Sequence, residues 1–112
     1  MAIYKTPIGD PIELAVEVPA AGMPEPLAPP DTYILGIVVQ AGKADADNAG
    51  NVTVGGADTS YATFRQVEME PGDVFVLEAP MGHSIDLGSF FVDSAVNDDG
   101  VRGFYWPSPN PS

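Results

Sequence analysis

Apolar positions along this chain fall in short runs, several alternating with polar residues, and the runs end at glycine, proline, aspartate or asparagine. Between residues 50 and 106 the β-prone runs cover 51–54, 64–69, 74–79, 90–93 and 101–106, a pattern that predicts an all-β meander with no room for a helix. Upstream, Ile12-Glu13-Leu14-Ala15-Val16-Glu17-Val18 alternates with a period of two and carries enough β-branched residues for an edge strand. Tyr33-Ile34-Leu35-Gly36-Ile37-Val38-Val39-Gln40 is the most apolar run, and its short length favours a strand over a helix.

Turn chemistry predicts how these strands connect. In Glu70-Pro71-Gly72-Asp73, proline and glycine occupy the two central positions of a type II turn, so 64–69 and 74–79 are expected as antiparallel neighbours. Asn97-Asp98-Asp99-Gly100 is a second strong turn signal, which makes 90–93 and 101–106 the expected last hairpin. The six to eight short strands point to a small antiparallel β-sandwich, jelly-roll-like, with an open barrel as the alternative.

Seven of the twelve prolines lie in residues 1–30, and each removes an amide donor and holds its own φ near an extended value. The expected organisation is therefore an extended proline-rich N-terminal arm with the edge strand over 1–31, a β-sandwich domain over 32–106, and a proline-rich C-terminal tail over 107–112. A sandwich strand needs only one apolar face, yet consecutive residues are apolar in 34–39, 74–77 and 90–92, which puts apolar side chains on both sheet surfaces. The outer surface is expected to be covered, either by the arm folding back or by another subunit or partner.

At 112 residues the chain fits one domain that buries roughly two-thirds of its unfolded surface. Sixteen acidic residues against four basic ones leave a net charge of −12, which repels phosphate backbones and anionic lipids and argues against nucleic-acid or membrane partners. No cysteine is present, so neither a disulfide nor a thiolate metal site is open to the chain. No apolar run approaches the roughly 20 residues that span a bilayer, and residues 1–7 do not read as a signal peptide.

Catalytic chemistry finds little support. Gly72-Asp73-Val74-Phe75-Val76-Leu77, followed by Pro80, Gly82 and His83, resembles the second motif of cupins. Cupin metal sites, however, draw further histidines and a glutamate from an earlier motif, and His83 is the one histidine here. Asp45-Ala46-Asp47-Asn48-Ala49-Gly50 begins like an EF-hand loop, but Ala49 replaces an oxygen ligand and Gly56 stands where the bidentate glutamate belongs. Asp98 and Asp99 are adjacent, so their side chains tend to point apart, and turn formation explains them. There is no Gly-x-Ser-x-Gly elbow. No catalytic residue, metal ligand or cofactor is expected.

Asn51-Val52-Thr53-Val54-Gly55-Gly56-Ala57-Asp58, then Met69-Glu70-Pro71-Gly72-Asp73 leading into Val74-Phe75-Val76-Leu77, then Ile85-Asp86-Leu87-Gly88-Ser89-Phe90-Phe91-Val92-Asp93 and Asp99-Gly100-Val101, together resemble small β proteins from the structural modules of tailed bacteriophages. The likeness covers roughly half the chain, residues 50–105. In size, acidity and layout the chain is most similar to capsid decoration (cement) proteins of that group. The resemblance implies a compact sandwich on the outer capsid surface of the virion, commonly a homo-oligomer (a trimer), bound to the major capsid protein and reaching over it with a terminal arm. Ile3, Tyr4, Ile8, Ile12 and Leu14 would anchor the arm, and Tyr105 and Trp106 would add contacts near the other end. The alternatives are a phage tail, neck or baseplate component, and a small carbohydrate-binding β module that stacks sugars on Trp106, Tyr105 and the other tyrosines.

Overall fold

A computed structural model describes residues 10–108. Nine strands form two antiparallel sheets: β1 (Ile12–Glu17), β2 (Glu25–Pro26), β3 (Tyr33–Ala41), β4 (Val52–Gly55), β5 (Val67–Met69), β6 (Val74–Glu78), β7 (Ile85–Asp86), β8 (Phe91–Ser94) and β9 (Gly100–Pro107). One sheet runs in the order β1-β9-β3-β6, with β7 also paired to β3, and the other in the order β2-β8-β4-β5. Leaving β7 aside, successive strands switch sheets except at β4 and β5, which are neighbours in one sheet, and this is the jelly-roll pattern. The expected all-β antiparallel sandwich is thus the fold, and a three-residue 3-10 turn at Leu87–Ser89 is the one helical element among the described residues.

Alternation explains which side of each strand is buried. In β3, Ile34, Ile37, Val39 and Ala41 face the interior, where they meet Val52 and Val54 of β4, Val92 of β8 and Val101 of β9. Val18, Leu27, Met69 and Leu87 close the core at its margins. Pairing shifts between Ile34 and Gly36 on the β9 side, and this irregularity brings both Ile34 and Ile37 inward although they are three residues apart.

Three connections differ from expectation. Residues 12–31 do not belong to an arm: β1 pairs along its whole length with β9, β2 pairs with β8, and Val18 and Leu27 are core residues. The sandwich therefore begins at Ile12, because the alternating apolar side of β1 is needed to close the core. The turn at Pro71-Gly72 is present, with Gly72 at φ 90° and the Asp73 amide bonded to the Glu70 carbonyl at 2.9 Å. The strands on either side of it are not neighbours, however, since β5 pairs with β4 and β6 pairs with β3 in the other sheet. Likewise β8 and β9 form no hairpin: the 95–99 turn carries the chain from one sheet to the other. At the C-terminal side Pro107 ends β9 opposite Ile34, so the tail starts one residue later than expected.

Buried polar groups secure these crossings. Asp99 is fully buried; its two carboxylate oxygens accept from the Ala49 and Gly50 amides at 3.0 and 2.8 Å, and the Lys43 ammonium lies 3.6 Å away. Asn48 closes the same corner by exchanging two hydrogen bonds with the Gly100 backbone, at 2.8 and 3.0 Å. Arg102 donates to Gln40, to the Lys43 and Ala46 carbonyls and to Asp47, fastening loop 42–51 to the sheet. Among the described residues no buried side-chain polar atom lacks a partner, as a stable interior requires.

Candidate interaction face

The two sheets treat their outer surfaces in opposite ways. On the β2-β8-β4-β5 sheet the outward residues Thr53 and Asp93, paired across β4 and β8, are polar, and both are fully buried. Loop 56–66 lies over them: the Tyr61 amide donates to Asp93 at 2.8 Å, the Gln66 amide donates to Thr53 Oγ1 at 3.0 Å, and the Thr53 and Thr59 hydroxyls are 3.4 Å apart. The Gly22 amide completes the Asp93 carboxylate at 2.9 Å. The polar centre of this sheet surface, with half-buried Phe91 beside it, has thus been covered by the chain's own loops.

The β1-β9-β3-β6 sheet is the reverse. Register places Phe104 of β9, Val38 of β3 and Val76 of β6 side by side on its outer surface, next to a row of Arg102, Gln40 and Val74. Val74 and Val76 are 58% and 56% exposed and Phe104 is 36% exposed. Trp106, two residues beyond Phe104 on the same face, sets its ring edge-on against it with centroids 5.1 Å apart. A shallow groove of about 600 Å³ crosses this surface, lined by Glu13, Ala15, Phe104, Arg102, Val38 and Val74 among others. Leaving that much apolar area in water forgoes roughly 25 cal/mol for each Å², so covering it is favourable for whatever ligand fits.

Carboxylates lie on both edge strands, unequally. Glu13 and Glu17 project outward from β1 at one edge of the sheet, and Glu78, paired with Gly36, projects from β6 at the other. Arg102 is the basic group on the face, and its donors are spent within the chain, on Gln40 and on loop 42–51. The β1 edge of the surface is acidic, whereas the β6 edge presents Val74 and Val76 with Glu78 at its end.

The residues expected to grip a partner are scattered. Ile3, Tyr4 and Ile8 lie outside the described residues. Ile12 is 44% exposed at the start of β1, opposite Tyr105. Leu14 and Tyr105 point inward and pack against the core, so they hold the sandwich together. Trp106 is on the outer face. Val38, Val74 and Val76 were signalled only collectively, through runs of consecutive apolar residues in 34–39 and 74–77, and Phe104 only as part of the β-prone run 101–106. His83 is exposed in a turn whose Gly82 has φ 82°, and Asp45 and Asp47 sit on the exposed loop, where Asp47 meets Arg102. Among the described residues no group of three or more histidine, cysteine or acidic side chains is placed to hold a metal ion.

A smaller polar cluster lies beside loop 56–66. Glu68 Oε2 accepts from Asn51 Nδ2 and from the Tyr61 hydroxyl, both at 2.9 Å, while Arg65 stacks over the Tyr61 ring at 4.2 Å. These donors, Asn51 first, hold the Glu68 carboxyl below its ordinary value, and the carboxylate in turn raises the Tyr61 hydroxyl. Because its folded value is depressed, Glu68 adds stability above its unfolded midpoint that is lost as the pH falls through the folded one. In an NMR titration of the side-chain carboxyl, Asn51→Ala should move the Glu68 midpoint upward. An unmoved midpoint would show that the Asn51 bond has no role in the shift.

Comparison of the chain with protein-family models, with curated proteins and with solved structures finds no match.

Proposed function

We propose that this protein is a non-enzymatic virion component, a decoration (cement) protein on the outer surface of a tailed-phage head that binds the major capsid protein and stabilises the shell by bridging capsomers. The observation that carries this reading is the inverted covering of the two sheets: the chain spends a loop on a polar surface and leaves its apolar one bare. A molecule built this way is completed by something it binds. The phage-like strand and turn motifs of residues 50–105 supply the setting, and the jelly roll is a fold shared by capsid, lectin and cupin domains.

The mechanism is mechanical. Four strands at about 4.8 Å spacing, each offering some five residues at about 3.3 Å, make a face of roughly 300 Å². That is less than half of the roughly 800 Å² that each partner contributes to a standard stable interface. One contact of this size is weak, but contacts repeated by the symmetry of a shell, and linked within a trimer, add through avidity.

Mass spectrometry of purified particles of the encoding phage should find the protein in a copy number matching a symmetry class of the head. Its absence from virions removes the reading, and a ring-forming copy number of six or twelve moves it to the tail, neck or baseplate. Deleting residues 1–11, which lie before β1, should abolish loading onto the shell while the remaining chain keeps its thermal midpoint. Full occupancy after that deletion would show that the arm does not grip.

A further inference from the structure

The free edges of the two sheets are not equally guarded. An edge strand turns unpaired N–H and C=O groups to its surroundings, and natural sheets blunt such edges with charge, proline or shortness. Strands β2 and β7 are two residues long, β2 ending in Pro26, and β5 has three. The Val18 amide donates to the Asp99 carbonyl at 2.8 Å, so even-numbered residues of β1 turn their backbone groups to β9, and Glu13, Ala15 and Glu17 turn theirs away. Two copies of β1 that paired all three would set Glu13 against the other copy's Glu17, like charge directly opposite like. Strand β6, Val74-Phe75-Val76-Leu77-Glu78, has no such guard: it pairs with β3 alone and contains neither proline, lysine nor a bulge. We infer that the β6 edge is a self-pairing surface, through which two copies of this chain join antiparallel about a two-fold axis at Val76 and merge their β1-β9-β3-β6 sheets into one. This contact goes beyond the reading above and does not depend on it.

Backbone parity selects both the occupant and the register. The Ala79 amide donates to the Leu35 carbonyl at 2.8 Å and the Ala41 amide to the Asp73 carbonyl at 2.9 Å, so odd-numbered residues of β6 face β3 and Val74, Val76 and Glu78 offer their backbone groups outward. With the axis at Val76, Val76 meets its own copy and Val74 meets the other copy's Glu78, twice over. Each of these three facing pairs exchanges two hydrogen bonds, and no outward group of the strand is left over. Moving the axis to Phe75 would set Glu78 against Gly72, whose amide and carbonyl are spent on Ala41 and Gln40. Moving it to Leu77 would set Val74 against Pro80, which has no amide to give. Side chains agree with this register. Val74 and Val76 are more than half exposed and come together on the outer surface, while the two Glu78 carboxylates stand roughly 14 Å apart along the ribbon, beyond the screening length of about 8 Å in physiological salt. The pair buries less than the roughly 800 Å² per partner of a standard interface, so the dimer is weak.

Sedimentation of the full chain from micromolar to millimolar protein should show a monomer passing into a dimer. Added salt should strengthen the dimer by screening the net charge of −12 on each chain. Two matched substitutions test the register, since each removes one exposed valine and adds one positive charge. Val76→Lys puts like charges face to face across the axis and should weaken the dimer about tenfold, whereas Val74→Lys faces the other copy's Glu78 at two places and should tighten it about fivefold. Both variants should keep the thermal midpoint of the parent. Amide exchange needs no substitution: on concentrating the parent chain, the Val74, Val76 and Glu78 amides should slow, while the Phe75 and Leu77 amides, already bonded to β3, should not change. A monomer at every concentration would overturn the inference, as would weakening of the dimer by salt, Val74→Lys and Val76→Lys shifting it in the same direction, or exchange at Val74, Val76 and Glu78 that ignores concentration. None of these results bears on the virion assay.

Discussion

Asp99→Ala should lower stability by about 4 kcal/mol, the loss expected when a fully buried carboxylate that accepts two backbone amides and faces an ammonium is removed. Asp99 has no exposed surface, and it is the common acceptor for the Ala49 and Gly50 amides as well as the counter-charge of Lys43. Alanine would leave two amides without acceptors and an ammonium without its partner, at the corner where the β3–β4 crossing meets the turn into β9. For a domain of this size the thermal midpoint should drop by roughly 15 °C. Lys43→Met should cost less, about 2 kcal/mol, because the fully buried carboxylate loses its counter-charge but keeps both amide bonds. Urea unfolding of the two variants decides the matter. Equal losses would mean that the charge pair, and not the amides, holds the corner.

That corner illustrates what the sequence makes legible. Strand positions can be read from period-two alternation and β-branched content: 12–18, 33–40 and 74–79 were expected, and Ile12–Glu17, Tyr33–Ala41 and Val74–Glu78 are observed. Turn geometry can be read as well, because Pro71 and Gly72 have few other conformations to offer. What a turn does not encode is whether the strands it joins share a sheet. Hydrogen-bond partners are chosen by which faces are buried together, and β3 takes β6 and β9 as neighbours although both are far along the chain. The expected pairing of 64–69 with 74–79, and the expected last hairpin, failed for that reason. Residues 64–66 also leave the strand, since Phe64 pairs with Ser60 and the Gln66 side chain and amide tie back to Gly56 and Thr53.

The interaction face was legible in outline through consecutive apolar residues. Its individual members were not, because assigning Leu14 and Tyr105 inward and Phe104 and Trp106 outward requires the register between β1, β9 and β3. The covering of Thr53 and Asp93 by loop 56–66 left no mark in the pattern at all. Both residues look like ordinary solvent-facing positions of an alternating strand until the loop is seen above them.

Strand β9 links fold and face, since it lies between β1 and β3 and carries Arg102, Phe104 and Trp106 outward. Gly103 is what lets it lie there: a Cβ on Gly103 would collide with the Val38 carbonyl and press on Val39 Cα, which are backbone atoms with no rotamer to yield. Gly103→Ala should therefore push β9 away from β3, at a cost of about 3 kcal/mol, the upper part of the range for overpacking. The same displacement should spread Phe104 from Val38, so binding to the outer face should weaken even in whatever fraction stays folded. Gly56→Ala is the matched control, because a Cβ there meets only the far end of the Gln66 side chain at 3.9 Å, and it should fall within about 0.5 kcal/mol of the parent. Parallel denaturation of the two variants separates local crowding from any general intolerance of alanine for glycine. If Gly103→Ala proved as stable as Gly56→Ala, the close approach of β9 to β3 would not be what sets the shape of this sheet.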